Sequence, residues 1–365
     1  MLSDVVVPNL HRRYTGVSAT VKALVPCQRQ TLPIGLLDQG RLGLPGCLQW
    51  SSLWRLGWTR PQAGRWRIWH ARRDTEILLG LVLRSVLHQP WKVIFTSAAP
   101  KRPGFWLRQL ICRCDYVIAT SPRSAGFLDR YDQVIFHGVD VNSFQPPHGR
   151  DVLLREVGLE GKHCISSFGR IRPSKGTDLL VDAVLPILPH FLDWVVVITG
   201  LCQAKDAAYL EEIHARIRAA GLEDRFRFVG DLHPDEIRLW YQRSSICVAA
   251  SRREGFGLTP LEAMASGCVP VTSEAGAWPW IIETSFGAMF QTGSAESLRL
   301  VLESLLGDPH RLAALGHQAR EVASRQFSIQ VEADALNRVY LDLMEASAST
   351  VDSLNRSLVG GGCQP

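Results

Sequence analysis

Two glycine-containing stretches in the second half of the chain carry residue types that bind phosphate and sugar groups. The first, residues 168–177, contains Gly169, Arg170 and Lys175 between a short apolar run and the start of a helical pattern. Glycine lets a ligand approach the backbone closely, the start of a helix offers free N–H groups, and the two side chains add positive charge, which suits a diphosphate. A solvated basic loop, with Thr177 serving only as a helix cap, fits the same residues equally well.

The second stretch, residues 251–267, also follows a short apolar run. Gly255 and Gly257 permit a tight turn that exposes backbone amides, and Glu254 comes directly before them. A carboxylate at the carboxyl end of a strand is well placed to accept hydrogen bonds from sugar hydroxyls. The two glycines do not begin a dinucleotide-binding fingerprint, because Pro260 occupies the third glycine position.

Glu262, in the same stretch, has a purely structural alternative. Thr259, Pro260 and Glu262 have the order of a helix capping box, in which Thr259 is the N-cap residue and Glu262 bonds back from the third helical position. Helix capping would account for Glu262 completely, but it explains neither Glu254 nor the glycines. Both interpretations of Glu262, a ligand-binding carboxylate and a helix cap, stay open at this point.

The remaining sequence predicts the scaffold that positions these two stretches. A length of 365 residues indicates two domains. Six short apolar runs alternate with amphipathic helical patterns in each half, which is typical of β-α units and parallel sheets. We therefore expect the α/β fold class, with two facing doubly wound, Rossmann-like domains and an interdomain cleft. In such sheets ligands bind beyond the carboxyl ends of the strands, so the cleft is the expected site.

Composition sets the expected domain boundaries. Residues 1–143 form a first domain, and residues 144–150 form a linker, because their two prolines and one glycine end helices and strands. Residues 151–328 form a second domain, followed by a C-terminal helix over 329–346. The tail, 347–365, is rich in serine and glycine and is predicted to be disordered.

The charge distribution indicates an anionic partner for the first half. Residues 1–150 hold 20 Lys/Arg and 8 Asp/Glu, a net charge of +12, whereas the remainder has a net charge of −7, and seven of the eleven tryptophans lie in the first 110 residues. An anionic membrane with a phosphorylated lipid acceptor suits this combination better than nucleic acid, for which no recognition motif is present. A solvated basic face is the plain alternative. The stretch expected to rest on the membrane comprises Lys101, Arg102, Phe105, Trp106 and Arg108.

Other features favour a cytoplasmic protein. The nine cysteines show no spacing typical of a zinc site or a redox dithiol, so we expect reduced thiols. The apolar run over 77–87 is too short for a transmembrane helix and contains Arg84, and the first ten residues contain Asp4 and no basic segment, unlike a signal peptide. The expected location is cytoplasmic, peripheral on the inner face of the cytoplasmic membrane.

Taken together, the two stretches resemble the retaining glycosyltransferases of family 4, which have the GT-B fold. The matching residues are Gly169-Arg170, Lys175-Gly176, Glu254 to Gly257, Glu262-Ala263, Gly267, and His137 to Asp140 before the linker. The resemblance implies transfer of a sugar from a nucleotide diphosphate donor with no metal ion or other cofactor. It assigns the donor diphosphate to Arg170 and Lys175. It assigns the ribose hydroxyls to Glu262 and the sugar to Glu254, which is the implied catalytic residue. The backbone implied to assist Glu254 is that of Gly255, Phe256, Gly257, Leu258 and Thr259.

A narrower resemblance covers the first half. Residues 12–17, 69–74 and 95–98 resemble bacterial lipopolysaccharide core mannosyltransferases, which use GDP-mannose and a lipid A–Kdo acceptor. His70 follows a predicted strand and is expected to face the cleft. The resemblance implies that it contacts the donor sugar and is catalytic together with Glu254, with a satisfied histidine at a strand end as the alternative. We expect His137 to have a structural role in the turn before the linker. The residues expected to bind the acceptor are Arg12, Arg13, Gly16, Arg72 and Arg73, with the arginines gripping its phosphates or carboxylates.

These observations predict a retaining transferase that moves mannose from GDP-mannose to the inner core of lipopolysaccharide, with the first domain binding the acceptor and the second the donor. Three alternatives stay open: a hexosyltransferase with a UDP-sugar donor, a nucleotide-sugar epimerase on a similar scaffold, and a non-enzymatic membrane-associated binding module. No metal, no other cofactor and no nucleic-acid partner is expected. The sequence does not specify an oligomeric state.

Overall fold

The computed structural model describes residues 3–11, 15–39, 42–159 and 163–345, which form two α/β domains. The sheet of the first domain has six strands, all paired in parallel, in the order β2-β1-β3-β4-β5-β6. Its strands are β1 (Val5–Asn9), β2 (Ile34–Asp38), β3 (Arg67–Ala71), β4 (Trp91–Ser97), β5 (Tyr116–Ala119) and β6 (Gln133–Val134). Short, buried apolar segments of this kind are typical of parallel strands covered on both faces.

The sheet of the second domain also has six parallel strands, in the order β12-β11-β10-β7-β8-β9. Its strands are β7 (His163–Phe168), β8 (Trp194–Thr199), β9 (Phe226–Gly230), β10 (Ile246–Ala249), β11 (Val269–Ser273) and β12 (Ala288–Phe290). The strands expected from the sequence are confirmed, and so is the doubly wound α/β fold. The strand order reverses between the neighbours β7 and β10, so the loops that follow these strands leave the sheet side by side. Those loops contain the two glycine stretches.

Thirteen α-helices connect and cover the strands within the described residues. They are α1 (Gly16–Gln28), α2 (Trp50–Gly57), α3 (Asp74–Leu81), α4 (Phe105–Ile111), α5 (Pro122–Ala125), α6 (Arg150–Arg155), α7 (Thr177–Val184), α8 (Ala207–Ala219), α9 (Pro234–Arg243), α10 (Thr259–Ala265), α11 (Ala295–Leu306), α12 (Pro309–Gln326) and α13 (Ile329–Glu345). The sequence did not predict α2 or the short α6. Helix α3 ends at Leu81, and the chain continues as one π-helical turn, Val82–Val86.

The last described helix, α13, returns to the first domain. Leu336 and Tyr340 on α13 pack into the same buried cluster as Val5 and Ile68 of the first sheet. A helix at the end of the described chain thus completes the core of the first domain, which the sequence pattern alone did not indicate. The predicted tail over 347–365 lies outside the described residues. No helix within the described ranges is both long and apolar enough to cross a membrane.

The position of α13 corrects the prediction that His70 faces the cleft. His70 is an interior residue of β3 and is fully buried. Its Nδ1 lies 2.5 Å from the hydroxyl of Tyr340 on α13, and its Nε2 lies 2.7 Å from the hydroxyl of Thr96 on β4. Because β3 continues beyond His70 to Ala71, the side chain lies inside the fold rather than at its edge. Burial lowers the pKa of His70 well below 6.5, so the imidazole is neutral.

Because His70 stays neutral in the folded protein, it makes stability depend on pH. The unfolded chain binds a proton at this histidine below about pH 6.5, and the folded protein does not. The contribution of the neutral imidazole is therefore complete above this pH and is lost as the pH falls, by up to about 1.4 kcal/mol per pH unit. We expect urea unfolding between about pH 7 and pH 5 to show a steeper loss of unfolding free energy in the wild type than in His70→Gln. Equal slopes would contradict a neutral, buried His70.

Candidate active site

A cavity of about 440 Å³ lies between the two domains. Gly16, Arg72 and Thr96 line it from the first domain. From the second domain it is lined by seven residues predicted to bind the donor: Lys175, Glu254, Phe256, Gly257, Leu258, Thr259 and Glu262. Gly255 lies between lining residues of the same loop. The interdomain cleft expected from the sequence is therefore present, and residues of both glycine stretches line it.

A small recess adjoins this cavity, between the loops that follow β7 and β10. Arg170, Lys175 and Glu254 all line it, so these three predicted residues share one wall. The Nζ of Lys175 donates a hydrogen bond to Oε2 of Glu254 at 2.5 Å, and the hydroxyl of Ser251 donates to the same oxygen at 3.2 Å. Thr177, the first residue of α7, also lines the recess, where the positive end of the helix dipole adds to the charge. No cluster of three or more metal-ligating side chains occurs among the described residues.

An arginine–aspartate pair fastens the two loops to each other. Both Nη atoms of Arg252 donate to the carboxylate of Asp178, at 2.8 and 2.7 Å, and Nη1 also donates to the backbone oxygen of Pro173 at 2.6 Å. Burial raises the pKa of Asp178, but hydrogen bonds from Arg252 and Tyr209 outweigh this effect and lower it. The aspartate is therefore ionised at neutral pH, and the pair holds the loops in register. Sequence reasoning missed this pair, because its two residues lie 74 positions apart in the chain.

Two positions of the second loop must be glycine, because neighbouring atoms leave no room for a Cβ atom. Gly257 has a φ of +85°, and a Cβ atom there would lie 2.5 Å from the indole nitrogen of Trp278, whose N–H donates to the Gly257 carbonyl at 3.0 Å. A Cβ atom on Gly255 would lie 2.5 Å from the carbonyl oxygen of Ala98 in the first domain. Gly257 thus shapes the loop, and Gly255 lets it pack against the opposite domain.

The helix-capping interpretation of Glu262 is wrong. Helix α10 begins at Thr259, with Leu258 before it, and no described side chain caps its first turn. The carboxylate of Glu262 instead accepts a hydrogen bond from the hydroxyl of Tyr241 at 2.6 Å and lines the cavity. Burial raises the pKa of Glu262, and the Tyr241 hydrogen bond partly offsets this rise. Tyr241 is fully buried and stacks on Phe168 with ring centroids 3.8 Å apart, so the carboxylate has a rigidly held partner.

The residues predicted to bind the acceptor differ in their placement. Gly16 and Arg72 line the interdomain cavity. Arg73 lines a neighbouring cavity, but its guanidinium is engaged within the protein, since it forms an ion pair with Glu76 at 3.0 Å and donates hydrogen bonds to three further side chains. The other two predicted residues, Arg12 and Arg13, lie outside the described residues.

His137 and Thr96 are cavity residues whose placement the sequence did not predict. The Nδ1 of His137 lies 2.8 Å from the carboxylate of Glu332 on α13, which is the kind of structural contact expected for it. Its ring also lines the cavity and packs edge-on against Phe256 of the second domain, with centroids 4.9 Å apart. Thr96 lines the cavity too, and its hydroxyl contacts the buried His70. Both placements depend on packing between distant segments, for which the sequence holds no local signal.

Comparison with known proteins agrees with this geometry. Residues 151–322 match the family model described as Glycosyl transferases group 1. The chain is 40% identical over 343 residues to the lipopolysaccharide core biosynthesis mannosyltransferase LpcC of Rhizobium leguminosarum bv. viciae, covering 93% of this chain and 97% of that protein. It is 38% identical over 349 residues to the lipopolysaccharide core biosynthesis mannosyltransferase LpsB of Rhizobium meliloti (strain 1021), covering 93% of this chain and 98% of that protein.

Similarity to a solved structure identifies the fold. The HepE protein of Anabaena, in complex with UDP, has a TM-score of 0.75 against this chain at 19% identity, over 92% of this chain and 98% of that chain. The two facing Rossmann-like domains are thus the GT-B arrangement expected from the sequence. The identity of 40% to the Rhizobium leguminosarum protein extends over both domains. The chain therefore belongs to the group 1 glycosyltransferases and is a glycosyltransferase.

Proposed function

We propose that this glycosyltransferase moves mannose from GDP-mannose to the lipid A–Kdo inner core of lipopolysaccharide, with retention of configuration as in family 4. The observation that carries the proposal is the similarity to two proteins named lipopolysaccharide core biosynthesis mannosyltransferases, at 40% and 38% identity. That similarity extends over 93% of the chain. It therefore includes the first domain, where the acceptor would bind, as well as the donor loops.

The charges around the recess support binding of a nucleotide diphosphate. Arg170, Lys175 and the N-terminus of α7 would face the two phosphates and neutralise the charge that develops on the departing diphosphate. Fixed cations of this kind can replace a metal ion, so the proposed enzyme needs no metal and no cofactor besides its co-substrate. Glu262, held by Tyr241, would bind the ribose hydroxyls. Glu254 and the backbone amides that follow it would bind the sugar.

The proposed mechanism is front-face transfer. The acceptor hydroxyl forms a bond to the anomeric carbon on the face from which the nucleoside diphosphate departs, so the α configuration is retained. As the bond between that carbon and the diphosphate oxygen breaks, the proton of the hydroxyl passes to a phosphate oxygen of the departing group. The negative charge of Glu254 stabilises the positive charge that develops on the sugar ring. No protein carboxylate is then needed as a nucleophile.

A transfer assay tests this function. The purified protein is incubated with GDP-mannose, UDP-glucose or ADP-glucose and with a lipopolysaccharide precursor that ends at Kdo, and NMR spectroscopy gives the anomeric configuration of the product. We expect transfer from GDP-mannose alone, as an α-linkage. Transfer from a UDP-sugar would replace the proposed donor, and conversion of a donor without acceptor would favour an epimerase. The absence of both transfer and donor hydrolysis would favour a binding module.

Lys175→Ala and Glu254→Ala should each lower kcat by orders of magnitude, because each removes a charge that acts on the transition state. Both side chains are partly exposed at the recess, so the variants should remain folded. Initial rates of GDP release and thermal unfolding measure the two properties separately. Arg218→Ala is the control, because Arg218 forms an exposed pair with Glu211 on α8, outside the cavity lining. A kcat close to that of the wild type in either site variant would show that the replaced residue does not take part in the proposed transfer.

Glu262→Gln separates donor binding from stability. Glutamine retains an oxygen that accepts the Tyr241 hydrogen bond, and α10 loses no cap, so the melting temperature should change little. Affinity for GDP-mannose should fall by about tenfold or more, since a hydrogen bond to a charged group contributes about 1.5–3 kcal/mol. Calorimetric titration and thermal unfolding give the two values. A lower melting temperature with unchanged donor affinity would mean that Glu262 is only structural.

Exposed aromatic side chains on the first domain support a location at a membrane surface. Trp50, Trp54 and Trp58, on and just after α2, are each more than half exposed. Residues four apart lie on one face of a helix. Phe105 and Trp106 on α4 are exposed as well. The inner sides of α2 and α4 pack into one cluster, so both helices cover the same face of the sheet, opposite α1 and α13. The aromatic residues of α4 were expected at a membrane, and the exposed tryptophans of the α2 segment lie on the same side of the first sheet.

The charge of this region favours an anionic bilayer. Residues 42–113 contain twelve arginine and lysine residues but only two acidic residues. Basic residues attract anionic headgroups, and tryptophan lies preferentially between headgroups and acyl chains. We infer that the protein is cytoplasmic and binds the inner face of the cytoplasmic membrane, where a lipid-linked acceptor is within reach of the cleft.

Replacing Trp50, Trp54 and Trp58 together by serine should weaken binding to anionic vesicles by about tenfold or more, because each tryptophan buries apolar surface in the interface. Co-sedimentation with phosphatidylglycerol and with phosphatidylcholine vesicles at low salt measures the effect. Leu192→Ser, which changes an exposed apolar residue of the second domain, is the control. The membrane proposal fails if the two vesicle types bind equally or if the triple variant binds as the wild type does.

A further inference from the structure

Arg72 is a buried cation without an anionic partner in the described part of the chain. It is only 9% exposed, and its Nε and Nη1 atoms have no hydrogen-bond partner among the described residues. Two of its neighbours, His70 and Tyr340, supply no negative charge: burial, and then the charge of Arg72, keep the pKa of His70 low, and burial raises the pKa of Tyr340. An unpaired buried charge destabilises a folded protein, so Arg72 is costly unless a ligand supplies the missing anion.

The adjacent Arg73, in contrast, has an anionic partner and hydrogen-bond acceptors within the protein. Its guanidinium forms an ion pair with Glu76 at 3.0 Å and donates hydrogen bonds to the side chains of Asn9 and Ser18. Glu76 also accepts a hydrogen bond from the backbone N–H of Arg72 at 2.8 Å. The backbone of Arg72 is therefore fixed, while two nitrogen atoms of its guanidinium remain available to a ligand.

Arg72 lies where two cavities meet. It lines the interdomain cavity and also a second cavity, of about 470 Å³, on the first domain. Four residues line both cavities, so the two spaces adjoin. The second cavity is also lined by Arg73, Lys101 and Arg102, against one acidic residue, Asp74. Its balance of charge is therefore positive, which favours an anionic occupant.

We propose that Arg72 binds an anionic group of the acceptor, a carboxylate or a phosphate, and that the second cavity holds the sugar that carries this group. The inference rests on the proposed transfer to a saccharide acceptor. The donor diphosphate is a poorer partner for Arg72. It is proposed to bind in the recess lined by Arg170 and Lys175, and Arg72 does not line that recess. An anion held at Arg72 would bring a hydroxyl of the same saccharide to the junction of the cavities, facing the donor.

Equilibrium binding tests the assignment independently of transfer. The probes are the O-deacylated lipid A–Kdo saccharide, the same saccharide after carboxyl reduction, and the same saccharide after phosphatase treatment. Each is titrated calorimetrically into the full chain in the presence of GDP. We expect Arg72→Met to bind the intact saccharide about 10- to 100-fold more weakly than the wild type does. Arg113→Met, which changes an exposed arginine outside both cavities, should stay within about threefold.

The altered saccharides identify the anion. If Arg72 binds the anionic group that was removed, the wild type should bind the altered saccharide more weakly than the intact one, by about the factor that Arg72→Met causes. The Arg72→Met variant should then bind the altered and the intact saccharide equally. Sensitivity to carboxyl reduction identifies a carboxylate, and sensitivity to phosphatase identifies a phosphate. Removal of an unpaired buried charge should leave the melting temperature of Arg72→Met equal to or above that of the wild type, which separates lost binding from misfolding.

The assignment would be overturned if Arg72→Met bound the intact saccharide as tightly as the wild type does. It would also be overturned if the affinities for the three saccharides differed by the same factors in the variant and in the wild type. Saccharide binding without mannose transfer by the wild type would overturn the proposed function and leave the Arg72 assignment in place. A wild type that binds none of the three saccharides would overturn both.

Discussion

The ion pair between Lys175 and Glu254 joins the two loops on which the site depends. Because β7 and β10 are neighbours where the strand order reverses, two residues 79 apart in the chain meet at 2.5 Å. The pair between Arg252 and Asp178 holds the same loops together nearby. In the proposed mechanism, a cation fixed in this way would not need to reorganise when a phosphate group of the donor binds, and preorganised charge of this kind is a large contribution to catalysis in transfer reactions.

The site also needs both domains, and the chain keeps them together at several points. Helix α13 ends the described chain but packs into the core of the first domain, and Glu332 on this helix holds His137 at the cavity. On the other side, the carbonyl of Ala98 approaches Gly255 so closely that a side chain would not fit. The space between the first domain and the two loops that follow β7 and β10 is therefore shaped by contacts between segments that are distant in the sequence.

Much of the fold could be predicted, because strands buried in a parallel sheet are continuous apolar runs and need no distant partner to be identified. The two loops that follow β7 and β10 could be located because glycine and charged residues follow such runs. What could not be predicted depends on long-range packing. His70 looks like a strand-end residue until Tyr340, 270 residues further on, covers it. The partner of Glu262 is likewise a tyrosine on another helix, whereas the local sequence indicates a cap.

Binding of GDP in the presence of a chelator tests the central claim most directly, namely that fixed cations at Arg170 and Lys175 hold the donor diphosphate. GDP and guanosine are titrated calorimetrically, in EDTA, into the wild type and into a variant carrying both Arg170→Met and Lys175→Met. The account predicts that the wild type binds GDP without divalent ions, that the variant loses affinity for GDP by about tenfold or more, and that guanosine binds both proteins equally. Loss of GDP binding by the wild type in EDTA, or equal GDP affinity of the two proteins, would contradict it.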